Sequence, residues 1–211
     1  MSRKHIFLIG FFFLLTLFLV GVNLLYTFQV FDKNKAKEQG FPAFAIPEFR
    51  FNNQEGVPFG TEELRGKVWV ANFIFTRCPG PCPLMTRNMA ALQQQIEADS
   101  GIQFVTFTVD PDYDIPEVLK TYGENHGADW KRWTFLTGER SAMHPLILNG
   151  FKLSVAEASE EDLPITGPYT HSTLFVVVGK DGKTRGYLEG SSPDFLKKMQ
   201  RLLAKTLKEP S

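Results

Sequence analysis

The chain has two cysteines, Cys78 and Cys82, four positions apart in FTRCPGPCPLMTRNM, residues 75–89. Thiols so spaced can close a local disulfide, cycle as a dithiol–disulfide couple, or converge as thiolates on one soft cation. A disulfide across so short a loop removes little chain entropy, so a purely structural staple is a poor reason for the pair. The familiar exchange motif has two residues between its cysteines, and this loop has three. Cys82 stands where a helix begins, and the unsatisfied N–H groups there favour an anion. The spacing therefore predicts a depressed thiol pKa in a tight, exposed loop. Redox exchange and metal binding both stay open on these residues.

Two thiolates alone could hold Cu(I), and a third ligand would make the site stronger and more selective. Four histidines are available. His5 flanks an apolar segment, His126 in GENHGADW reads as a solvated loop residue, and His144 in SAMHPL reads as a capping or packing residue. His171, in PYTHSTLFVVVG, comes just before a strongly apolar strand. Strand ends at one edge of an α/β sheet are where sites assemble, so His171 is the candidate third ligand. Met85 and Met89 carry soft sulfur, but their helical spacing on an apolar face reads as core packing. Asp110, in VDP, is either a turn residue or a carboxylate supporting the site. A peroxidatic cysteine would want a nearby arginine, and Arg77 and Arg87 are present, with nothing more specific to support that chemistry.

The elements that must position these groups alternate. Lys67–Thr76 is β-branched and aromatic, hence a buried strand running into the cysteine loop. Pro83 suits the start of a helix whose apolar face runs to about Ala98. Ile102–Val109 reads as a strand, Ile115–Asn125 as a helix capped by Asp114, Trp133–Leu136 as a strand and Glu139–Asn149 as a helix. Thr173–Val178 and Thr184–Leu188 form a hairpin across a Gly-Lys-Asp-Gly turn, and Ser192 caps a last helix, Pro193–Leu207. The order predicts an α/β fold with a mixed sheet flanked by helices.

Ile6–Phe28 holds no charge over 23 residues, long enough to cross a bilayer as a helix, and no A-x-A-like cleavage site follows it. It reads as a transmembrane anchor behind a short flank, 1–5, and ahead of a tether, 29–45, with one domain over 46–207. Arg3 and Lys4 precede the anchor while Lys33, Lys35 and Lys37 follow it, which leaves orientation open. Lysine plus arginine equals aspartate plus glutamate at 23 each, so no basic excess exists to neutralise nucleic-acid phosphates.

Four stretches together resemble the SCO/SenC family in order and spacing: the strand with TRCPGPCPLMTRNM, FVTFTVDPDYDIPEVLKTYG, WTFLTG, and THSTLFVVVGKDGKTRGYLEG. The resemblance covers roughly residues 40–207 and implies a membrane-anchored, thioredoxin-like copper protein that assists assembly of the copper centre of cytochrome c oxidase. It implies copper ligation by Cys78, Cys82 and His171, with Asp110 as the family aspartate after the second strand. It also implies, as partners, the oxidase subunit carrying that centre and other copper chaperones or thiol reductants. The domain would lie in the periplasm on the bacterial inner membrane, or else in the mitochondrial intermembrane space. A thiol–disulfide oxidoreductase using Cys78 and Cys82 is the alternative function. Two departures stand out: Pro81 lies inside the loop, and Thr170 precedes His171 where the family often has Asp. If that Asp orients the imidazole, copper affinity is altered here.

Overall fold

The computed structural model describes Thr16, Val20, Gly21 and residues 43–210. The expected anchor and tether lie, but for Thr16, Val20, Gly21 and 43–45, outside the described residues, as does His5. Among the described residues no helix is long and apolar enough to cross a membrane.

The centre of the fold is strand β3, Trp69–Ile74, buried along its whole length. Alternate side chains leave its two faces. Trp69, Ala71 and Phe73 pack with Phe49, Phe107 and Phe151 on one side, while Val70 joins Met85, Met89, Leu92 and Phe175 on the other. Both faces of the sheet therefore need a covering layer, which is why β3 is apolar but for Asn72, whose side-chain oxygen takes the Thr106 hydroxyl. Its parallel neighbour β4 is Gln103–Thr108, and β5, Trp133–Thr137, runs parallel beyond β4. On its other side β3 pairs antiparallel with β8, Leu174–Val178, which turns back into β9, Thr184–Glu189. A hairpin of β1, Arg50–Asn53, and β2, Pro58–Gly60, adds to β5, so the mixed sheet runs β2-β1-β5-β4-β3-β8-β9. The mixed α/β sheet flanked by helices is thus as expected. A separate ribbon pairs β6, Val155–Glu157, with β7, Tyr169–His171.

Helix α1, Cys82–Gln95, starts immediately after Pro81 and has Pro83 in its first turn, where the missing N–H costs no hydrogen bond. Met85, Met89 and Leu92 give it one buried face. Helix α2 is Pro116–Asn125, α3 is Arg140–Pro145, and α4 is Phe195–Thr206.

Several local expectations are corrected. Ile115, not Asp114, is the N-cap of α2, because the Asp114 carboxylate points inward and takes the hydroxyls of Thr76 and Thr108, each at 2.5 Å. The final helix is capped at Asp194 and starts at Phe195, with Ser192 bonded to the Asp194 carboxylate instead. The helix expected over Glu139–Asn149 is α3 followed by a wider π turn, Leu146–Gly150. Pro145 has no N–H to continue the ordinary ladder at that junction.

Candidate metal centre

Parallel β3 and β4 deliver their C-terminal ends to the same edge of the sheet. Because β8 runs against β3, with Trp69 opposite Val178 and Ala71 opposite Val176, β8 starts at that edge too. The residue just before β8 is therefore carried to the loop that follows β3. In this way the chain returns His171 to Cys78 and Cys82. Cys82 Sγ lies 3.2 Å from His171 Nε2, and the three ligand atoms all lie within 4.8 Å of one another.

The cysteine loop is tight and its middle is exposed, as expected, but the two thiols that it carries are buried. Cys78 is 8% exposed and Cys82 0%, with only Pro79, Gly80 and Pro81 facing solvent between them. Cys78 sits in a turn closed by its own N–H to the Phe75 carbonyl at 3.2 Å, and its Sγ accepts the Gly80 N–H at 3.4 Å. Gly167, at φ +73°, brings a second segment down over this loop. A side chain there would meet the Phe75 ring at 3.0 Å.

Both cysteines are free thiols. Hydrogen bonding from the Cys82 thiol holds the Cys78 pKa down to about 4, with the Cys82 and Gly80 N–H groups adding to the effect against the cost of burial. The same contact, reinforced by burial, pushes Cys82 up. The thiol at the helix start, where the sequence suggests an anion, is thus pushed up instead, and the pair places the anion on Cys78, the less buried sulfur. Cys82 keeps its proton, with Cys78 Sγ and His171 Nε2 as its acceptors.

The imidazole is oriented by the backbone. Its Nδ1 lies 2.9 Å from the Ser172 carbonyl, which can only accept. Nδ1 therefore carries the proton and leaves Nε2 with its lone pair facing Cys82. The ring also meets Phe75 edge-on at 5.7 Å. One thiolate, one thiol able to lose its proton and one bare imidazole nitrogen form a soft S2N donor set. Ligands bonded at about 2.3 Å can stand no more than about 4.6 Å apart, so the observed spread closes on one ion with little movement.

The other candidates take different places. The Asp110 carboxylate is buried and takes the Arg77 Nε–H at 2.8 Å. Its connection to the sulfurs runs through Arg77, whose guanidinium also lies 4.5 Å from the Tyr113 ring centroid. Arg87 is exposed on α1. Met85 and Met89 are fully buried in the core, as their spacing implies. His144 donates to the Val109 carbonyl at 2.8 Å and packs edge-on against Tyr169. His126 is half-buried rather than solvated, its ring tilted against Tyr122 with centroids 4.3 Å apart, and it is bonded to the Tyr122 carbonyl.

Two supports, buried Asp114 and half-buried Tyr122, escaped the sequence reading. Asp114 joins the ends of β3 and β4 beneath the cysteine loop. Tyr122 reaches the Thr86 hydroxyl at 2.9 Å, and Thr86 donates to the Cys82 carbonyl at 2.9 Å, which braces the first turn of α1. The polar-at-i+4 pattern of Cys82 and Thr86 was the available signal, since a helical threonine can bond back one turn.

Comparison with known proteins places this geometry among relatives. The SCO1/SenC family model matches residues 37–205. The SCO1 protein homolog of Bacillus subtilis (strain 168) is 37% identical over 142 residues, 66% of this chain and 71% of that one. A relative from Stutzerimonas stutzeri that carries copper binding in its name is 33% identical over 166 residues, 77% of each chain. The crystal structure of a SCO1/SenC family lipoprotein from Bacillus anthracis str. Ames superimposes with a TM-score of 0.71 at 36% identity, covering 78% of this chain and 96% of that one. BsSco, described as having a disulfide switch and as a member of the Sco family of cytochrome c oxidase assembly proteins, superimposes with a TM-score of 0.68 at 30% identity, covering 80% and 96%.

Proposed function

Since the chain belongs to the SCO1/SenC family, we propose that it carries copper between Cys78, Cys82 and His171 and delivers it during assembly of the copper centre of cytochrome c oxidase. The observation that carries this reading is the convergence of two sulfurs and a bare imidazole nitrogen within 4.8 Å, although His171 lies 89 positions after Cys82 in the chain. Copper is cargo here. Two soft sulfurs favour Cu(I), and the burial of Cys82 keeps competing water away from it. Binding requires Cys82 to give up its proton, so affinity rises with pH until both sulfurs are thiolates. The acceptor is the oxidase subunit that carries the copper centre.

The domain over 46–207 is held to a membrane by the 6–28 anchor through the 29–45 tether, and faces the periplasmic side of a bacterial inner membrane. The charge-free 23-residue run and the lipoprotein relative support that placement.

The second reading is thiol–disulfide exchange. It rests on the depressed Cys78 thiolate beside a protonated Cys82, the arrangement of an attacking and a resolving thiol. The two readings part at His171. Cu(I) stoichiometry and affinity of the reduced full-length chain, measured beside Cys78→Ser, Cys82→Ser and His171→Ala, decides between them. One copper per chain, weakened by all three changes, supports copper carriage. Parent-like copper binding in His171→Ala, with exchange abolished in both cysteine variants, replaces it with the redox couple.

A further inference from the structure

The two parts of the centre are anchored differently. Cys78 and Cys82 are rooted in the core at the end of β3 and the start of α1, whereas His171 hangs on the β6–β7 ribbon, which is not part of the main sheet. Something must hold that ribbon against the cysteine side. Phe75 contributes, meeting Tyr169 at 6.2 Å and His171 at 5.7 Å.

Arg140, at the start of α3, contributes the polar part. Its Nη1 donates to Glu157 at 2.9 Å, its Nη2 donates to Asp112, and its guanidinium lies 5.6 Å from the Tyr169 ring centroid. Glu157 and Tyr169 are register partners across the ribbon. Tyr169 and His171 are two residues apart on one strand and so share a face. On the other side, Asp112 closely follows Asp110, which holds Arg77 next to Cys78. One side chain therefore bridges the histidine ribbon and the loop that braces the first cysteine. A single exposed ion pair contributes little. Here one planar fork engages two carboxylates on separate segments and an aromatic ring, which a lysine cannot reproduce.

Resting on the copper-carriage reading, we propose that Arg140 is a positioning residue for His171. It latches the ribbon so that Nε2 stays within ligand reach of both sulfurs. Loss of the latch frees the imidazole while leaving the cysteine loop in place.

The test uses the full-length reduced chain with Arg140→Met and Arg140→Lys, each alone and combined with His171→Ala. The first readout needs no metal: the ¹⁵N resonances of the His171 ring at fixed pH, with His126 as internal control. The latch requires the His171 signals to shift or broaden in Arg140→Met and the His126 signals to stay. The second readout is Cu(I) affinity. Arg140→Met should weaken it about five- to tenfold when His171 is present and less than about twofold in the His171→Ala background. Arg140→Lys should behave closer to Met than to the parent. Unmoved His171 signals, or equal affinity losses in both backgrounds, overturn the latch and leave copper carriage standing. Shifted His171 signals in Arg140→Met, beside a parent that binds no copper, keep the latch and remove copper carriage. Should Arg140→Met fail to fold, Glu157→Gln removes one arm of the fork and reads the same shift.

Discussion

Cys82 Sγ lies 3.2 Å from His171 Nε2, while the other ring nitrogen of His171 is committed to the Ser172 carbonyl at 2.9 Å. The imidazole is thereby an acceptor toward the sulfur, and the proton it faces is the one that Cys82 shares with Cys78. A free cysteine ionises near pH 8.5, so its alkylation ordinarily rises about tenfold per pH unit below that value. Cys78, held down to about 4, is a thiolate throughout the range above that. Its alkylation by iodoacetamide should be nearly flat from about pH 6 to pH 8 and fall only as the pH approaches 4. Cys82, pushed up and fully buried, should react far more slowly at every pH. Peptide mapping of the labelled chain reads both rates; equal rates with a parallel rise toward pH 8 would remove the shared-proton arrangement.

Asp114 gives a stability readout of the scaffold beneath the loop. Its carboxylate takes the Thr76 N–H at 3.1 Å as well as the hydroxyls of Thr76 and Thr108. Asp114→Ala orphans these buried donors and should destabilise the domain by about 2–4 kcal/mol in urea unfolding. Burial nevertheless raises the Asp114 pKa, and the donors only partly offset it. The sign follows from linkage: a raised acid pKa contributes stability that is complete below the unfolded value of 3.8 and is lost as pH rises through the folded value. Asp114→Asn keeps the shape and cannot charge. Relative to the parent, it should therefore become more favourable as the pH is raised from about 3 to 7. A parent-minus-Asn difference independent of pH would show that the carboxyl is not destabilised by burial.

Why does the sequence hide the role of this carboxylate, when it shows where the cysteine loop sits? Asp-Ile-Pro before a helical pattern is a sound capping signal, and nothing local says that the side chain turns inward toward Thr76 after β3 and Thr108 at the end of β4. Strand β3 was legible because both its faces are buried, which leaves a β-branched and aromatic run broken only by Asn72. The β6–β7 ribbon was not, because three-residue strands with exposed Ala156, Glu157 and Thr170 carry no periodicity to detect. The β1–β2 hairpin is equally short. His171 stood out only through its place ahead of the VVV strand; its contact with Cys82 depends on antiparallel β3–β8 pairing, a long-range fact. Core packing explains Met85 and Met89 fully, because a face of alternate turns is a local pattern.

Copper loading and removal test the donor set without any acceptor. A ligand bound only by the native state at a hundred times its Kd stabilises it by about 2.7 kcal/mol. For a domain of this size that corresponds to a rise in Tm of about 5–10 °C. Reduced full-length chain should show this rise with Cu(I) and lose it when a chelator strips the metal. Cys82→Ser should abolish it and His171→Ala should reduce it. Met85→Leu conserves core volume and costs less than about 1.5 kcal/mol, so its copper-induced rise should match the parent's. Loss of that rise in Met85→Leu would make the thioether a ligand and contradict its place in the core.

Thr170 is where the family often has a carboxylate, and its replacement separates two views of how the histidine is held. If an aspartate there orients the imidazole, Thr170→Asp should tighten copper binding by about ten- to a hundredfold, the size of effect such supporting groups have. The geometry argues otherwise. Neighbouring residues on a strand point to opposite faces, and Thr170 is exposed while Tyr169 and His171 both meet Phe75. An Asp at 170 would start from the solvent face, and Nδ1 already has its acceptor in the Ser172 carbonyl. Its charge would act only through screened water, where an exposed carboxylate has little leverage. Thr170→Asp should therefore leave Cu(I) affinity within about threefold of the parent and the His171 Nδ1–H tautomer unchanged by ¹⁵N NMR. A gain of tenfold or more, with His171 Nδ1 moved to a new partner, would mean that the backbone carbonyl is a substitute for a missing carboxylate and a weaker one.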